Sequence, residues 1–363
     1  MGIRLDGTTD TISAPGSDLN LGQSGDSVKV ASAVKLPTAG ALSHRNLLKN
    51  GAMQIAQRAT QVTGQTSTGY KTCDRWRINI SSLGTWTIDQ STDAPAGFAK
   101  SLKLTCTTAK ASPGGGNNMI VQQRLEGHDL QSLAWGTSSA KEFTISFYVK
   151  SSKAGNASFA VLNNDNSNIM VSFQYTISSA NTWEYKTITV PAYTAGAFDD
   201  DNARSMQLEW WLNSGDTYTG AGTHQTEWAA LSQTERNASN LGIGGAVNDT
   251  WQLAGVQMEV GSEATPFEHR SYCDELARCQ RYYQEAGVIL SNTSPDRYYA
   301  TINLPVTMRD SPTISSGNID SGSGGAMLAL FSRDGANTNK TQFYQGTSNS
   351  VISNAWFKFD DEL

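Results

Sequence analysis

The chain has 363 residues, and only 17% of them are charged, against roughly 25% in an average soluble protein. Lys and Arg number 27 and Asp and Glu 33, so the formal net charge is −6, and this acidic balance argues against a nucleic-acid-binding protein. No run approaches the roughly 18 consecutive apolar residues of a membrane-spanning helix, so we expect no membrane insertion. The 9 Trp, 12 Tyr and 11 Phe can build a hydrophobic core, which excludes a disordered composition.

The first 45 residues form a Gly-rich segment. Residues 3–6 and 27–30 alternate apolar with polar side chains and predict two short strands. The segment has too few apolar residues to bury a core alone, so we expect residues 1–45 to be completed by a partner chain or by other copies of this chain. Residues 46–70 then resemble an apolar anchor followed by a polar linker.

Residues 71–268 hold the longest series of predicted strands. Alternation with a period of two residues places apolar side chains on one face in several segments, namely 102–106, 143–149, 181–190, 206–212 and 256–260. About ten such strands with turn-forming residues between them predict a mainly β protein with an antiparallel sandwich rather than a parallel α/β sheet.

One helix is predicted over residues 272–285, which contain no Gly or Pro. Leu276, Cys279 and Tyr283 recur at helical spacing, and Ser271 is suited to cap the first turn. This apolar edge either forms an oligomer interface with other copies or packs across the base of the sandwich. Residues 269–286 thus connect the sandwich to a small C-terminal β domain over residues 287–363, in which we expect strands at residues 298–306, 326–331 and 355–359.

The metal-ligating residue types are few and scattered. The four cysteines form no Cys-x-x-Cys pair, so we expect reduced thiols rather than a disulfide framework or a zinc site. Asp199, Asp200 and Asp201 supply oxygen atoms of the kind that bind Ca²⁺, although their spacing is not that of an EF-hand. This run predicts either a structural Ca²⁺ site or a solvated acidic turn, and we expect no other cofactor.

An ordered set of motifs resembles a recurrent module of tailed-bacteriophage fibre and virion structural proteins. The motifs are NGAMQIAQR at 50–58, DRW at 74–76, SLKL at 101–104, QRLEG at 123–127, GVQMEVG at 255–261, ATPFE at 264–268 and CQRYY at 279–283. The opening residues 5–10, LDGTTD, are similar to the N-termini of fibre-like proteins of cyanophages and other marine phages.

This resemblance implies a homotrimeric tail fibre with an antiparallel jelly-roll sandwich of the carbohydrate-binding-module type. Residues 1–45 would dock to a tail or capsid protein, and the rest would recognise a glycan on the host surface. The expected location is the virion tail, after synthesis in the cytoplasm of the bacterial host. The alternative is a capsid-decorating or tail-adaptor protein that binds no receptor. The chain carries no long shaft repeat, which favours a short fibre or a fibre tip.

Aromatic rings beside amide and carboxylate groups can bind sugars. Trp211 lies on the strand face opposite Trp210, so we expect it to point outward, and Tyr218 and Trp228 follow in the next polar segment. Trp211, Tyr218 and Trp228 are therefore the predicted glycan-binding rings. The alternative is that these rings cover the sandwich or lie in a trimer interface.

The chain contains no Gly-x-Ser-x-Gly elbow, His-Glu-x-x-His motif or phosphate-binding loop, so we expect no enzyme. The remaining enzymatic alternative is a polysaccharide depolymerase, which needs two carboxylates about 5–9 Å apart. Glu209 and Glu227 could supply this pair.

Overall fold

The computed structural model describes the backbone of residues 43–288, 291–294, 297–321, 329–331, 340–345 and 352–363, and the side chains of residues 43–286, 304–315 and 357–363. The strands expected at residues 3–6 and 27–30 lie outside these ranges, as does almost all of the expected docking segment 1–45. None of the helices in the described part of the chain is long and apolar enough to cross a membrane.

The described chain consists mainly of β-strands. In chain order they are β1 (Gln61–Gln65), β2 (Gly69–Tyr70), β3 (Arg77–Ser81), β4 (Thr85–Ser91), β5 (Ser101–Thr108), β6 (Asn118–Glu126), β7 (Phe143–Ser151), β8 (Gly155–Asn163), β9 (Ile169–Ile177), β10 (Glu184–Val190), β11 (Arg204–Ser214), β12 (Ala229–Ala230), β13 (Thr250–Val260), β14 (Tyr283–Val288), β15 (Ser291–Ser294), β16 (Arg297–Asn303), β17 (Thr313–Ser321), β18 (Ala329–Phe331), β19 (Lys340–Gln345) and β20 (Ile352–Asp360). The helices are α1 (Asp216–Thr219) and α2 (Tyr272–Gln280).

Two antiparallel sheets form the sandwich. Sheet A has the strand order β1-β4-β5-β13-β7-β10, and sheet B has the order β12-β9-β8-β11-β6-β3-β2. The chain changes sheet repeatedly, for example from β5 to β6, from β6 to β7 and from β7 to β8, which is the connectivity of a jelly roll. The predicted fold class, a mainly β protein with an antiparallel jelly-roll sandwich, is therefore confirmed.

The main core lies between the two sheets because alternate residues of each strand point inward. Trp210 of β11 is fully buried there. Its ring centroid lies 5.5 Å from that of Trp76, 5.7 Å from that of Phe147 and 4.9 Å from that of Phe159. These contacts join both sheets through one aromatic cluster.

Residues 46–70 belong to the sandwich and are not a linker. The side chains of Leu48, Met53 and Ile55 are completely buried, and β1 pairs with β4 at the edge of sheet A. The apolar anchor that the sequence predicts therefore packs into the same core as the strands that follow it.

Helix α2 ends at Gln280, five residues earlier than predicted. Ser271 caps it as expected, since its Oγ accepts a hydrogen bond of 3.2 Å from the backbone N–H of Asp274. Tyr283 instead begins β14, where it pairs with Asp360 of β20. The helix is shorter than predicted because residues from Tyr283 onward pair with β20 as a strand.

The oligomer interface predicted on this helix is not accessible, because two of its three side chains are buried within the chain. Cys279 is 0% exposed and Tyr283 is 2% exposed within a single chain, and Leu276 is partly buried. Neither Cys279 nor Tyr283 can therefore present a side chain to another copy. The alternative, in which this apolar edge packs within the chain, agrees with the structure.

The C-terminal strands form two smaller antiparallel sheets. One has the order β14-β20-β17 and the other the order β15-β16-β19-β18. Part of the strand expected at residues 326–331 lies outside the described residues, and its described part is β18. The strand expected at the C-terminus is present as β20.

Candidate functional site: the outer face of sheet A

A row of aromatic rings lies on the outer face of sheet A. In β7 the side chains of Phe143, Ile145 and Phe147 enter the core, so Tyr148 points to the outside. Tyr185 of β10 is directly opposite it in the sheet register, with ring centroids 5.0 Å apart and an interplanar angle of 49°. These two rings form an open pair on the surface.

The row continues onto the loop between β4 and β5. Phe98 of this loop has its ring centroid 5.6 Å from that of Tyr148. On its other side, the ring of Phe98 contacts Phe267 at 4.9 Å and His269 at 5.2 Å. Tyr185 is 46% exposed, while Tyr148 and Phe98 are partly buried, so the open end of the row is the tyrosine pair.

The ring of Phe98 packs directly against the backbone of Gly255. The register of β13 against β7 shifts between Ala254 and Gln257, and Gly255 in this irregularity has φ of +58°. A Cβ atom at Gly255 would lie 2.6 Å from the ring of Phe98. Glycine is needed here both for the backbone conformation and for the close approach of the ring.

We therefore expect Gly255→Ala to lower the free energy of unfolding by about 2 kcal/mol, measured by urea denaturation. Gly222→Ala is the matched control, because Gly222 has φ of +65° but no atom within 4 Å of the added Cβ. The control should lose only about 1 kcal/mol, the cost of backbone strain. Equal losses at both positions would contradict the steric role of the Phe98 ring.

A polar network borders the aromatic row. The carboxylate of Asp93 accepts hydrogen bonds from Lys150 Nζ at 2.8 Å, from Gln252 Nε2 at 3.1 Å and from Trp183 Nε1 at 3.2 Å. The hydrogen bond from Lys150 lowers the pKa of Asp93, so this carboxylate is ionised at neutral pH. The side chains of Asp93 and Lys150 stay 42% and 21% exposed. The site thus combines ring faces with an exposed carboxylate and a partly exposed ammonium group.

The predicted glycan-binding rings do not form a platform. Trp211 points away from the main core, as expected, but it is 0% exposed. It belongs to a second small core on the outer side of sheet B, with Ile120, Leu162 and Met170, and Tyr218 packs against it with ring centroids 5.0 Å apart. The prediction that Trp211 faces solvent is wrong because residues folding back after β11 cover this face.

Trp228 lies in a different cluster. Its ring centroid is 5.0 Å from that of Trp135 and 6.0 Å from that of Tyr193, and its Nε1 donates to the carbonyl oxygen of Pro191 at 2.8 Å. The structure therefore separates Trp228 from Trp211 and Tyr218. The alternative reading, in which these rings cover the sandwich, agrees with the observed packing.

Glu209 is not arranged for catalysis. It is completely buried, while Glu227 is exposed. Each carboxylate oxygen of Glu209 is bonded to a donor of Arg236, at 2.6 and 3.2 Å. Further donors are the side chains of Gln122, Gln207 and Trp211. A carboxylate held by this many donors has a structural role and does not fit the acid or the base of a depolymerase.

The three acidic residues proposed for Ca²⁺ do not converge on one point. Asp200 pairs with His128 Nδ1 at 2.8 Å, and Asp201 accepts a hydrogen bond from the backbone N–H of Ala203 at 2.9 Å. The backbone N–H of Asp199 donates to Asp165. Within the part of the chain that the structure describes, no group of three or more His, Cys, Asp or Glu residues is placed to hold a metal ion.

Four of the motifs meet in one buried junction. The side-chain amide of Asn50 donates to the carbonyl oxygens of Ile55 at 2.8 Å and Asp74 at 2.9 Å. Trp76 Nε1 in turn donates to the carbonyl oxygen of Asn50 at 2.9 Å. These bonds join the first two motifs of the set.

The last motif and the C-terminus enter the same junction. Arg75 is 1% exposed, its guanidinium carbon lies 3.4 Å from the ring centroid of Tyr282, and it forms an ion pair with Glu362. Arg281 Nη2 donates to Glu126 at 2.6 Å. Because these residues bond one another in the interior, the motifs at 50–58, 74–76, 123–127 and 279–283 form a structural junction and not an open binding site.

Asp74 in this junction makes folding sensitive to pH. Burial raises the pKa of its carboxyl group to about 6, against the hydrogen bonds from Gln57, which lower it. In the unfolded chain the pKa of this group is close to 3.9. Between pH 4 and pH 6, roughly, the folded state therefore holds a proton that the unfolded state releases, and the free energy of unfolding falls as pH rises.

We expect the wild-type protein to lose up to about 3 kcal/mol relative to Asp74→Asn as pH rises through this window. Urea unfolding of both proteins at a series of pH values measures this difference. Two stability curves that remain parallel from low pH to neutrality would contradict the expected protonation of Asp74.

No sequence-family model matches the chain, and no curated protein matches it. Among solved structures, the enzymatically active domain of tailspike protein 4 of bacteriophage CBA120 is 12% identical, with 59% of this chain and 21% of that chain covered and a TM-score of 0.31. The chain therefore spans about a fifth of the length of that tailspike chain.

Two carbohydrate-binding structures are similar at the same level. The N-terminal cellulose-binding domain of Cellulomonas fimi β-1,4-glucanase C is 9% identical, with 58% of this chain and 100% of that chain covered and a TM-score of 0.29. A family 11 carbohydrate-binding module of a Clostridium thermocellum cellulosomal cellulase is 11% identical, with coverages of 58% and 99% and a TM-score of 0.28. At these identities and TM-scores, the likenesses do not say what this chain binds. What the fold and the site define is a jelly-roll protein with an aromatic outer face.

Proposed function

We propose that this chain is a glycan-binding structural protein of a phage virion, a tail fibre that recognises host surface carbohydrate through the outer face of sheet A. The observation that carries the glycan-binding part is the row of Tyr185, Tyr148 and Phe98 beside the Asp93 network. A sugar has an apolar C–H face that packs on an aromatic ring and hydroxyl groups that bond carboxylates and amines. Both kinds of partner are exposed together on this face.

The phage assignment rests on the resemblance of the ordered motifs over residues 46–286. In this proposal residues 1–45 hold the fibre to a tail or capsid protein, and the chain carries out no reaction. A homotrimer would use a surface other than Cys279 and Tyr283, which are buried. Three weak sites on one fibre would raise the overall affinity for a glycan-coated surface by avidity.

Adsorption competition tests this function. Purified wild-type protein is added to host cells, and the attachment rate of the phage that carries it is followed. Attachment should slow and saturate with wild-type protein, but not with the Tyr148→Ala/Tyr185→Ala variant. No effect from folded wild-type protein would favour the capsid-decorating or tail-adaptor alternative. Light scattering should give the mass of three chains, and a mass near one or two chains would contradict the trimer.

A further inference from the structure

A cavity lies at the junction of the sandwich with the C-terminal strands. It has a volume of about 340 Å³, which is at the lower end of the roughly 300–1,000 Å³ typical of small-molecule sites. Its lining includes residues from β2, β14, β17 and β20, and none of them belongs to the aromatic row on sheet A. The cavity is therefore a separate candidate site.

One wall of the cavity is built around Arg58. The guanidinium carbon of Arg58 lies 3.7 Å from the ring centroid of Tyr283 and 5.6 Å from that of Tyr70. Arg58 is also bonded to Asp360 at 3.1 Å and to Glu362 at 3.3 Å. Arg58 is therefore held in place by its own contacts before any ligand binds, and it does not have to be ordered by the ligand.

Two lysines in the lining, Lys71 and Lys358, have ammonium N–H donors that can bind a ligand. Lys71 forms no ion pair with any described residue, and its hydrogen bond goes to Ser67 Oγ at 3.4 Å. Burial lowers the pKa of Lys71, because its ammonium group is partly removed from water without a carboxylate beside it. Lys358 is 44% exposed and lies 3.8 Å from Glu285. Each ammonium carries three donors, so both can bind an anion.

The lining also contains groups that accept and donate to hydroxyls. Asp360 keeps a side chain that is 44% exposed, and the exposed Ser315 adds a hydroxyl. Asp360 repels a bare inorganic anion but accepts hydrogen bonds from a sugar. The combination of two ammonium groups, one carboxylate and one hydroxyl fits a ligand that carries both a carboxylate and several hydroxyls.

We propose that this cavity is a second saccharide site that binds a sugar acid. The ligand carboxylate binds Lys71 and Lys358, its hydroxyls bond Asp360 and Ser315, and its ring packs beside Tyr70. This site does not depend on the aromatic face of sheet A, and either site can fail without the other.

The test is calorimetric titration of the full chain with D-glucuronate, D-galacturonate, D-glucose and inorganic phosphate. At least one uronate should bind with a millimolar Kd, at least tenfold more tightly than glucose or phosphate. Lys71→Gln and Lys358→Gln should each weaken that binding at least fivefold, whereas Lys110→Gln, an exposed lysine elsewhere on the sandwich, should not change it.

Tyr185→Ala should leave uronate binding unchanged, which separates this site from the aromatic face. Absence of uronate binding up to about 50 mM, equal binding of glucose, or affinities unaffected by both lysine variants would overturn the proposal. Phosphate binding as tightly as the uronates would reduce the cavity to a simple anion site, which also overturns it.

Discussion

Replacement of both Tyr148 and Tyr185 by alanine should reduce glycan affinity by about 30- to 900-fold if the two losses add, because each truncated ring removes about 1–2 kcal/mol of contact. Tyr185→Ala alone should weaken binding by roughly 5- to 30-fold. The tyrosines pack against each other, so the two losses need not add. Affinity is measured by titration with the strongest-binding oligosaccharide found on an array of bacterial surface glycans.

Tyr272→Ala is the matched control for this experiment. Tyr272 is 57% exposed on α2, so the change removes the same surface ring type from a different part of the chain. It should bind glycan as the wild type does. Because Tyr185 is also well exposed, its loss should change the free energy of unfolding by less than about 1 kcal/mol. Unaltered affinity in the double variant, with the fold intact, would contradict the assignment of this face.

The strands of the sandwich could be predicted because their burial is a local property of the sequence. A strand with one face in the core alternates apolar and polar residues, and β5, β7, β11 and β13 all do so. The same rule places Tyr148 and Tyr185 outside the core, so the sequence contained a signal for the open tyrosine pair. The predicted ring Trp211 lies on β11, which belongs to the other sheet.

The failure at Trp211 has a non-local cause. Alternation determines that its ring leaves the main core, but not whether another segment covers the outer face. Here Arg236 lies over the ring, 5.0 Å from its centroid to the guanidinium carbon, and bonds Glu209 beside it. This covering depends on how the segment after β11 folds back, and no short sequence pattern records that.

The rest of the candidate site could not be predicted from the sequence, because it too depends on contacts between distant segments. Asp93 and Phe98 lie on the β4–β5 loop, and their partners Trp183 and Gln252 are far away in sequence. Loop conformation and long-range pairing bring them together. Four of the motifs, at 50–58, 74–76, 123–127 and 279–283, supply residues of the buried junction, where Asn50 and Arg75 satisfy neighbouring polar groups.

Arg75→Ala tests the energetic importance of that junction. The change leaves Glu362, whose side chain is 4% exposed, without one of its two cationic partners. Removal of one member of a buried ion pair costs about 3–5 kcal/mol, and because Arg58 remains near Glu362 we expect about 3 kcal/mol. Urea denaturation measures the loss. Asp200→Ala removes the solvent-exposed pair with His128 and should cost less than about 1 kcal/mol.

A double change separates charge from packing at the same place. Arg75→Met/Glu362→Gln removes both charges while it keeps most of the side-chain volume over Tyr282. If the uncompensated carboxylate causes the loss, the double variant should be more stable than Arg75→Ala. A double variant as unstable as the single one would assign the loss to the contact of Arg75 with the Tyr282 ring. In either case, Arg75 joins the C-terminal segment that contains Glu362 to the sandwich.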